Sequence, residues 1–412
     1  MPNPDFSTAG DARRLRGLHL ALNFTLKQTL SGWIVPSQSS KGKYVVALDL
    51  SQCTCDDFEM RQSPCKHIYA VQHHLEGVSE ADGEDALPIP SRVTYGQRWP
   101  EYNAAQATEK TNFLRLLYGL CRGIYEPPQT IGRPRLSFAD MVFACAFKVY
   151  SGLSGRRFGS DLAEAHSKGY IAKVPHFNSI YNYLEKDGLT PLLHELITVT
   201  ALPLKAVETN FAVDSSGFSN SRFVRWFNVK YGREIDNRDW LKLHLMCGVT
   251  TNVVTSVEIS GRHDHDAPFF EPLVGRTAVN FKVLEVSADK AYSSRANLHA
   301  AMAHGATPFI PFKSNATGEA GGDNLWRIMY HYYSLRRDEF LAHYHRRSNV
   351  ESTFSMIKGK FGDAVKGKTE TAQLNEILLK VLCHNICVVH QSMFELKIEP
   401  TFCADLALSQ IV

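Results

Sequence analysis

Two groups of residues in this 412-residue sequence have types and spacings suited to chemistry. The first is Cys53-x-Cys55-x9-Cys65-x-His67. Three thiolates and an imidazole are the donor set that a structural Zn2+ takes in tetrahedral geometry. The C-x-C and C-x-H pairs each offer two ligands from one short stretch of backbone, and the loop between lets the pairs converge. The second group is three acids, Asp214, Asp289 and Glu351. Asp214 ends the β-type run NFAVD, Asp289 follows KVLEVSA, and Glu351 lies in the helical-type run YHRRSNVESTFSMIKGKF. An acid at a strand end in an open α/β sheet faces the crevice beyond the carboxyl edge, where ligands bind. Carboxylates are ligands for hard cations, and two such cations serve in-line phosphoryl displacement.

The elements that must position these residues are readable from periodicity. Around the cysteines, GWIVPS and KYVVALDL read as strands and HIYAVQHHL as a helix. That ββα unit is too small to bury a good core without a metal. From Asn210 onward, FAVD, WLKLHLMCGVT, VVTSVEIS, KVLEVSAD and ATPFIPFK are short β-rich runs bounded by turn residues. Helical patterns follow over Asp338–Gly362 and Ala372–Phe394. The expected fold is α/β, with a mixed five-stranded sheet. On one continuous helix at roughly 100° per residue, Tyr344, Arg347, Glu351 and Lys358 fall within roughly 60° of one another. Val350, Phe354, Ile357 and Phe361 form a separate apolar stripe that can bury against the sheet.

Before the sheet, residues 111–205 carry apolar residues at spacings of three and four, the pattern of a helical domain. The stretch from Gly77 to Asn103 is rich in acids, Pro and Gly and has no period, so it reads as a linker. The expected order is a zinc module over 1–80, a linker over 81–110, and a helical DNA-binding domain over 111–205. A catalytic domain over 206–395 and a tail over 396–412 follow.

Composition narrows the function. A hydrophobic share of 44% and a charged share of 21% suit a protein with a real core and exclude a disordered or fibrous chain. A net charge of +3 excludes a histone-like protein but leaves DNA binding open, since local charge decides that. The most apolar run, Ile377 to Val389, is broken by Lys380, His384 and Asn385, so no membrane span is expected. No secretory signal is expected either. The other cysteines are dispersed, which suits a reducing cytosol. The sequence has no G-x-G-x-x-G, Walker A, G-x-S-x-G or H-E-x-x-H motif, which argues against dinucleotide, NTP, serine-hydrolase and zincin chemistry.

The cysteine pattern resembles the SWIM zinc finger, with aromatic or apolar Trp33, Tyr44 and Phe58 flanking it. The acids resemble those of the DDE transposases of bacterial insertion sequences, whose fold is ribonuclease-H-like. Tyr344-x2-Arg347-x3-Glu351-x6-Lys358 matches that group's Y-x2-R-x3-E-x6-K signature at all four positions. D-S-S-G-F at Asp214 and A-D-K-A-Y at Asp289 resemble its first- and second-acid motifs, although Ala291 replaces the usual Gly and Ser293 a frequent Asp. The stretch from Asp289 to Glu351 is too short for the large insertion domain of some relatives.

The resemblance implies that Asp214, Asp289 and Glu351 are catalytic and hold Mg2+ (or Mn2+), beside the Zn2+ of Cys53, Cys55, Cys65 and His67. It implies that Tyr344, Arg347 and Lys358 hold transposon-end DNA, and that the partners are transposon ends, target DNA and further copies of the chain. It also implies action in the cytoplasm, on the bacterial nucleoid. A second reading is a transposase-derived, non-catalytic, zinc-containing DNA-binding protein.

Three lesser expectations complete the reading. Arg346, Arg347, Lys358, Lys360, Lys366 and Lys368 outnumber the acids between 344 and 368, a strip that suits a phosphate backbone. Arg222, Arg225, Lys230, Arg233 and Arg238 interleave with aromatics in a way that would suit DNA. His73 and His74 read as surface residues, and Asp266 in GRHDHDAP as a helix N-cap.

Overall fold

The computed structural model describes residues 8–29, 31–37, 42–76, 98–126, 128–129, 131–132, 135–220, 240–319, 321–400 and 402. The chain forms two compact units, Met1–Gly96 and Gln97–Val412.

In the first unit, helix α1 (Thr8–Asn23) precedes strands β1 (Lys27–Thr29), β2 (Gly32–Pro36) and β3 (Lys43–Val46). The strands form an antiparallel sheet in sequence order. Two helices follow, α2 (Asp56–Arg61) and α3 (Lys66–Leu75). The expected two strands and helix are present, and α1, β1 and α2 add to them. Gly17 explains how α1 packs: a Cβ there would stand 2.5 Å from Tyr69 Cβ, so only glycine lets the α1 and α3 backbones approach. Leu20, Trp33, Val35, Val46, Ile68 and Val71 bury together with the three cysteines. His73 is buried, not on the surface, because it lies on the inner face of α3, whereas His74 is exposed.

The second unit opens with α4 (Trp99–Cys121). Residues 99–110, expected as linker, are therefore the first half of a helix. Pro100 sits in its first turn, where a missing N–H breaks no helical bond. Helices α5 (Phe138–Ser151), α6 (Gly159–Ser167), α7 (Phe177–Leu184) and α8 (Leu189–Ala201) follow. The sheet comprises β4 (Asn210–Ser219), β5 (Trp240–Gly248), β6 (Val254–Ser260), β7 (Glu285–Ala288) and β8 (Thr307–Phe309). Their spatial order is β6-β5-β4-β7-β8, with β4 antiparallel to β5 and parallel to β7. It is the mixed five-stranded sheet expected of a ribonuclease-H-like domain. Helices α9 (Phe270–Asn280) and α10 (Arg295–Ala303) connect its later strands.

After β8 come α11 (Asn324–Leu335), α12 (Arg337–Tyr344), α13 (Ser348–Phe361) and α14 (Glu370–Glu395). The single helix expected through Tyr344 and Lys358 is broken: a 3-10 turn, His345–Arg347, separates α12 from α13. The α13 stripe behaves as expected, with Val350, Phe354 and Ile357 buried. One hydrophobic core runs through helices and sheet alike, from Phe113 to Phe402.

Helix α14 is apolar and long enough to cross a membrane by length and composition, yet 78% of its most apolar window is buried in the protein. Its polar residues are bolts. Asn385 Nδ2 donates to Val254 O and Ile197 O, and its Oδ1 accepts from Val254 N, tying β6 and α8 to α14. Lys380 Nζ donates to Gly362 O and Ala364 O.

At the root of β4, the carboxylate of buried Glu208 accepts from Thr250 N at 3.2 Å, Thr251 N at 2.6 Å and Thr251 Oγ1 at 2.7 Å. Burial pushes its pKa up, against those hydrogen bonds. It therefore fixes the β5–β6 turn. Glu208→Gln keeps one acceptor oxygen but turns an NH2 toward donors. This substitution lowers stability by about 1–3 kcal/mol, read from urea denaturation midpoints.

Candidate zinc site and candidate active site

The zinc ligand set is assembled by two backbone segments. Cys53 and Cys55 lie on an extended stretch that bonds to β3, through Ala47 N to Gln52 O and Thr54 N to Val45 O. Alternation along that stretch puts both side chains on one face. Cys65 is the N-cap of α3, and His67 lies in its first turn. All four ligand atoms lie within 4.8 Å of one another, and all four residues are buried. His67 Nδ1 stands 3.8 Å from both Cys53 Sγ and Cys65 Sγ. A tetrahedral Zn2+ separates its S and N ligands by roughly 3.6 Å, so the donor set fits the ion. Cys53 donates to Cys65 and pushes that thiol well below the usual range, aided by His67 and the Ile68 N–H, while its own pKa rises. A thiolate at a helix N-terminus is the metal-binding form. Tyr44 packs 4.5 Å from the His67 ring and fixes its plane.

Sheet register brings two of the three acids side by side. Strand β4 pairs with β7 only from Asn210↔Glu285 to Val213↔Ala288. Asp214 and Asp289 are the next residue on each strand, so they leave the ladder side by side. Asp214 is not at a strand end: β4 continues to Ser219, paired with β5 alone. That extension follows from the alternating DSSGF run, which has enough β character to keep its partner.

Glu351 comes from the first turn of α13 and is exposed. Arg347, in the preceding 3-10 turn, joins it to the sheet. Its Nη1 lies 2.6 Å from Asp214 Oδ2 and its Nη2 lies 2.5 Å from Glu351 Oε1. The Asp214 carboxyl sits above the usual range, first through burial and then through the nearby charges of Asp289 and Glu351. The Ser215 N–H and Arg347 oppose the rise. This concentration of negative charge and an all-oxygen donor set suit a hard divalent cation. Among the described residues, however, only the Cys/His group is placed as a cluster that could hold a metal ion; the three acids are not.

Of the remaining signature residues, Tyr344 ends α12, partly buried, with the Arg347 Cζ 5.9 Å from its ring centroid. Lys358 is half-buried: its Nζ donates to Ser216 Oγ at 2.7 Å and lies 5.1 Å from the Phe218 ring centroid. Arg347 and Lys358 thus both reach the β4 face that carries Asp214, Ser216 and Phe218. The sequence reading passed over Ser216, although its place two residues after Asp214 is the signal for a shared face.

Comparison with known proteins adds two family matches. Residues 205–386 match the family model described as the transposase DDE domain, and residues 44–76 match that of the SWIM zinc finger. The chain carries a transposase DDE domain behind a SWIM zinc finger. No curated protein matches it. Two other expectations need comment. Asp266 occupies the N-cap of a short 3-10 turn but makes no side-chain cap bond. Its carboxylate instead lies 2.9 Å from Lys242 Nζ, a stronger, charge-assisted partner. The aromatic and basic run from Arg222 to Arg238 lies outside the described residues.

The SWIM ligand set leads to a first metal measurement. The purified chain carries one Zn2+, and Cys65→Ser loses it, as read by elemental analysis after dialysis. The SWIM module then melts at lower temperature, while the DDE domain, which has its own core, retains its transition. Equal zinc in wild type and Cys65→Ser is the contrary outcome.

Proposed function

We propose that this chain is the DNA transposase of a bacterial insertion sequence, cutting transposon ends and joining them to target DNA. The observation that supports this reading is that Arg347 joins Asp214 to Glu351 beside the point where β4 and β7 part and Asp289 leaves the ladder. In this reading the SWIM module, the helices of 111–205 and the DDE domain divide zinc binding, DNA binding and catalysis between them.

Asp214, Asp289 and Glu351 hold two Mg2+ (or Mn2+) ions. Bound there, the ions supply activation of an attacking oxygen and stabilisation of a departing one in in-line phosphoryl transfer. Water first attacks the phosphorus at a transposon end and the P–O3′ bond breaks, which leaves a 3′-OH on one side of the nick and a 5′-phosphate on the other. That hydroxyl then attacks a target phosphodiester and expels a target 3′ oxygen. Each step breaks one P–O bond and makes another, so no covalent enzyme intermediate is needed.

Arg347 has two roles here. Its two N–H arms hold Asp214 and Glu351 at a fixed separation, a fork that lysine cannot copy. Its positive charge also faces the scissile phosphate as DNA arrives. Lys358, braced by Ser216, adds a point charge farther along β4, and Tyr344 offers a ring edge beside Arg347. Copies of the chain pair two ends on DNA, in the cytoplasm at the nucleoid.

Nicking of an end-bearing duplex in Mg2+ tests this reading. Asp214→Asn, Asp289→Asn and Glu351→Gln each lower cleavage by about 100-fold or more, while gel shifts show retained binding, since binding rests on phosphate contacts elsewhere. Near-wild-type cleavage by any one of them removes that acid from the site. A wild-type chain that binds ends and cuts none favours the non-catalytic DNA-binding alternative.

Arg347 gives a separate outcome. Arg347→Ala weakens end binding and slows cleavage together, and Arg347→Lys recovers only part of both. Identical binding and cleavage by Arg347→Ala and wild type contradict both roles given to this side chain.

A further inference from the structure

A cavity of about 520 Å3 opens between α5, α7, the turn after α13, and α14. That volume lies within the ~300–1,000 Å3 of small-molecule sites. Part of its lining is apolar or aromatic: Val149, Tyr181, Leu184 and Phe361. The cationic part is Lys148, Lys366 and Lys368.

Lys148 is the informative residue. It is half-buried on α5, and its ammonium makes no hydrogen bond or ion pair among the described residues. The nearest named partner is the Phe158 ring, 6.0 Å to the centroid. Burial and then the Lys366 charge push its pKa down, while Glu376 opposes this. Two like charges are thus held beside apolar surface, an arrangement that an anion would relieve.

The turn that presents Lys366 and Lys368 is rigidly held. Glu376 Oε2 accepts from Lys366 N at 2.7 Å and Gly367 N at 2.9 Å, so that acid is already engaged with backbone. Lys380 binds the carbonyls of Gly362 and Ala364 from beneath. The other acid of the lining, Glu185, is exposed. On the far side, Tyr181 is positioned over Gly155, where a Cβ would stand 2.6 Å from its hydroxyl.

Aromatic and aliphatic side chains beside a cluster of ammonium groups match an aromatic ring that carries an anion. We infer that this cavity binds a nucleotide unit, with its base against Tyr181, Leu184 and Phe361 and its phosphate against Lys148, Lys366 and Lys368. The nucleotide is either free or an unpaired unit of a DNA strand. The site stands apart from the three acids, and it rests on the transposase reading only for the second of those sources.

The test uses the 412-residue protein and two fluorescent probes. One is the 2-aminopurine deoxyribonucleoside monophosphate; the other is a duplex with a single-stranded overhang containing 2-aminopurine. A saturable fluorescence change with either probe is expected. A response to the monophosphate assigns a free nucleotide, and a response to the overhang alone assigns a DNA strand. Lys148→Gln and Lys366→Gln each weaken that binding about tenfold, as loss of a charge-assisted contact requires. Tyr181→Ala also weakens it, which inorganic phosphate binding alone would not require. Melting temperatures check that the variants fold, and Lys366→Gln changes only an exposed side chain. Absence of a saturable signal with both probes, or wild-type affinity in both lysine variants, overturns the inference. Nicking of a blunt duplex by wild type and Asp214→Asn is read in parallel, so failure of the transposase reading and failure of this pocket are distinguishable.

Discussion

Four residues of parallel pairing between β4 and β7 set the geometry of the whole catalytic face. Where the ladder stops, at Val213↔Ala288, two acids emerge together. Had the register slipped by one residue, Asp214 would have faced one side of the sheet and Asp289 the other. Everything around the ladder holds that register. Glu208 anchors the turn on one side of β4. The backbone of Asp363 and Val365 bonds Ser219 at its far end. The buried stripe of α13 lies across it, and Arg347 fastens that helix to the sheet through charge.

Much of this was legible in the residues, for physical reasons. Zinc ligation demands particular atoms at short spacing, so Cys53, Cys55, Cys65 and His67 stand out whatever surrounds them. The strands are also clear, because β-branched runs such as VVTSVEIS have no strong helical alternative. The apolar stripe of α13 shows through its period. Local patterns carried less information elsewhere. An acidic, Pro-containing stretch hid the start of α4, since Pro100 reads as a breaker unless its place in the first turn is known. The 3-10 turn before α13 was not legible, because three polar residues, His345–Arg347, carry no apolar stripe whose shift of about 60° could show. Helix α1 went unread because its apolar face is thin and its packing depends on one glycine.

The side chains of the catalytic face follow the same division. Residue types announced the three acids and the basic signature. Most of what those bases touch was not readable: Lys358 is braced by Ser216 and Phe218, and Arg347 reaches Asp214, contacts made across more than a hundred residues of chain. Such pairings depend on tertiary packing, which a local window does not contain.

The polar bolts of α14 also bear on the synthesis of the protein. This helix is apolar enough that, unfolded, it resembles a segment that membrane-insertion machinery would accept. A lysine near the centre of a segment opposes insertion by about 2.5–3.5 kcal/mol. Lys380 and Asn385 therefore act twice. In the folded chain they join α14 to the sheet and to the turn after α13. In the nascent chain they lower the odds of capture by the bilayer, leaving the helix free to meet a core whose strands precede it in the sequence.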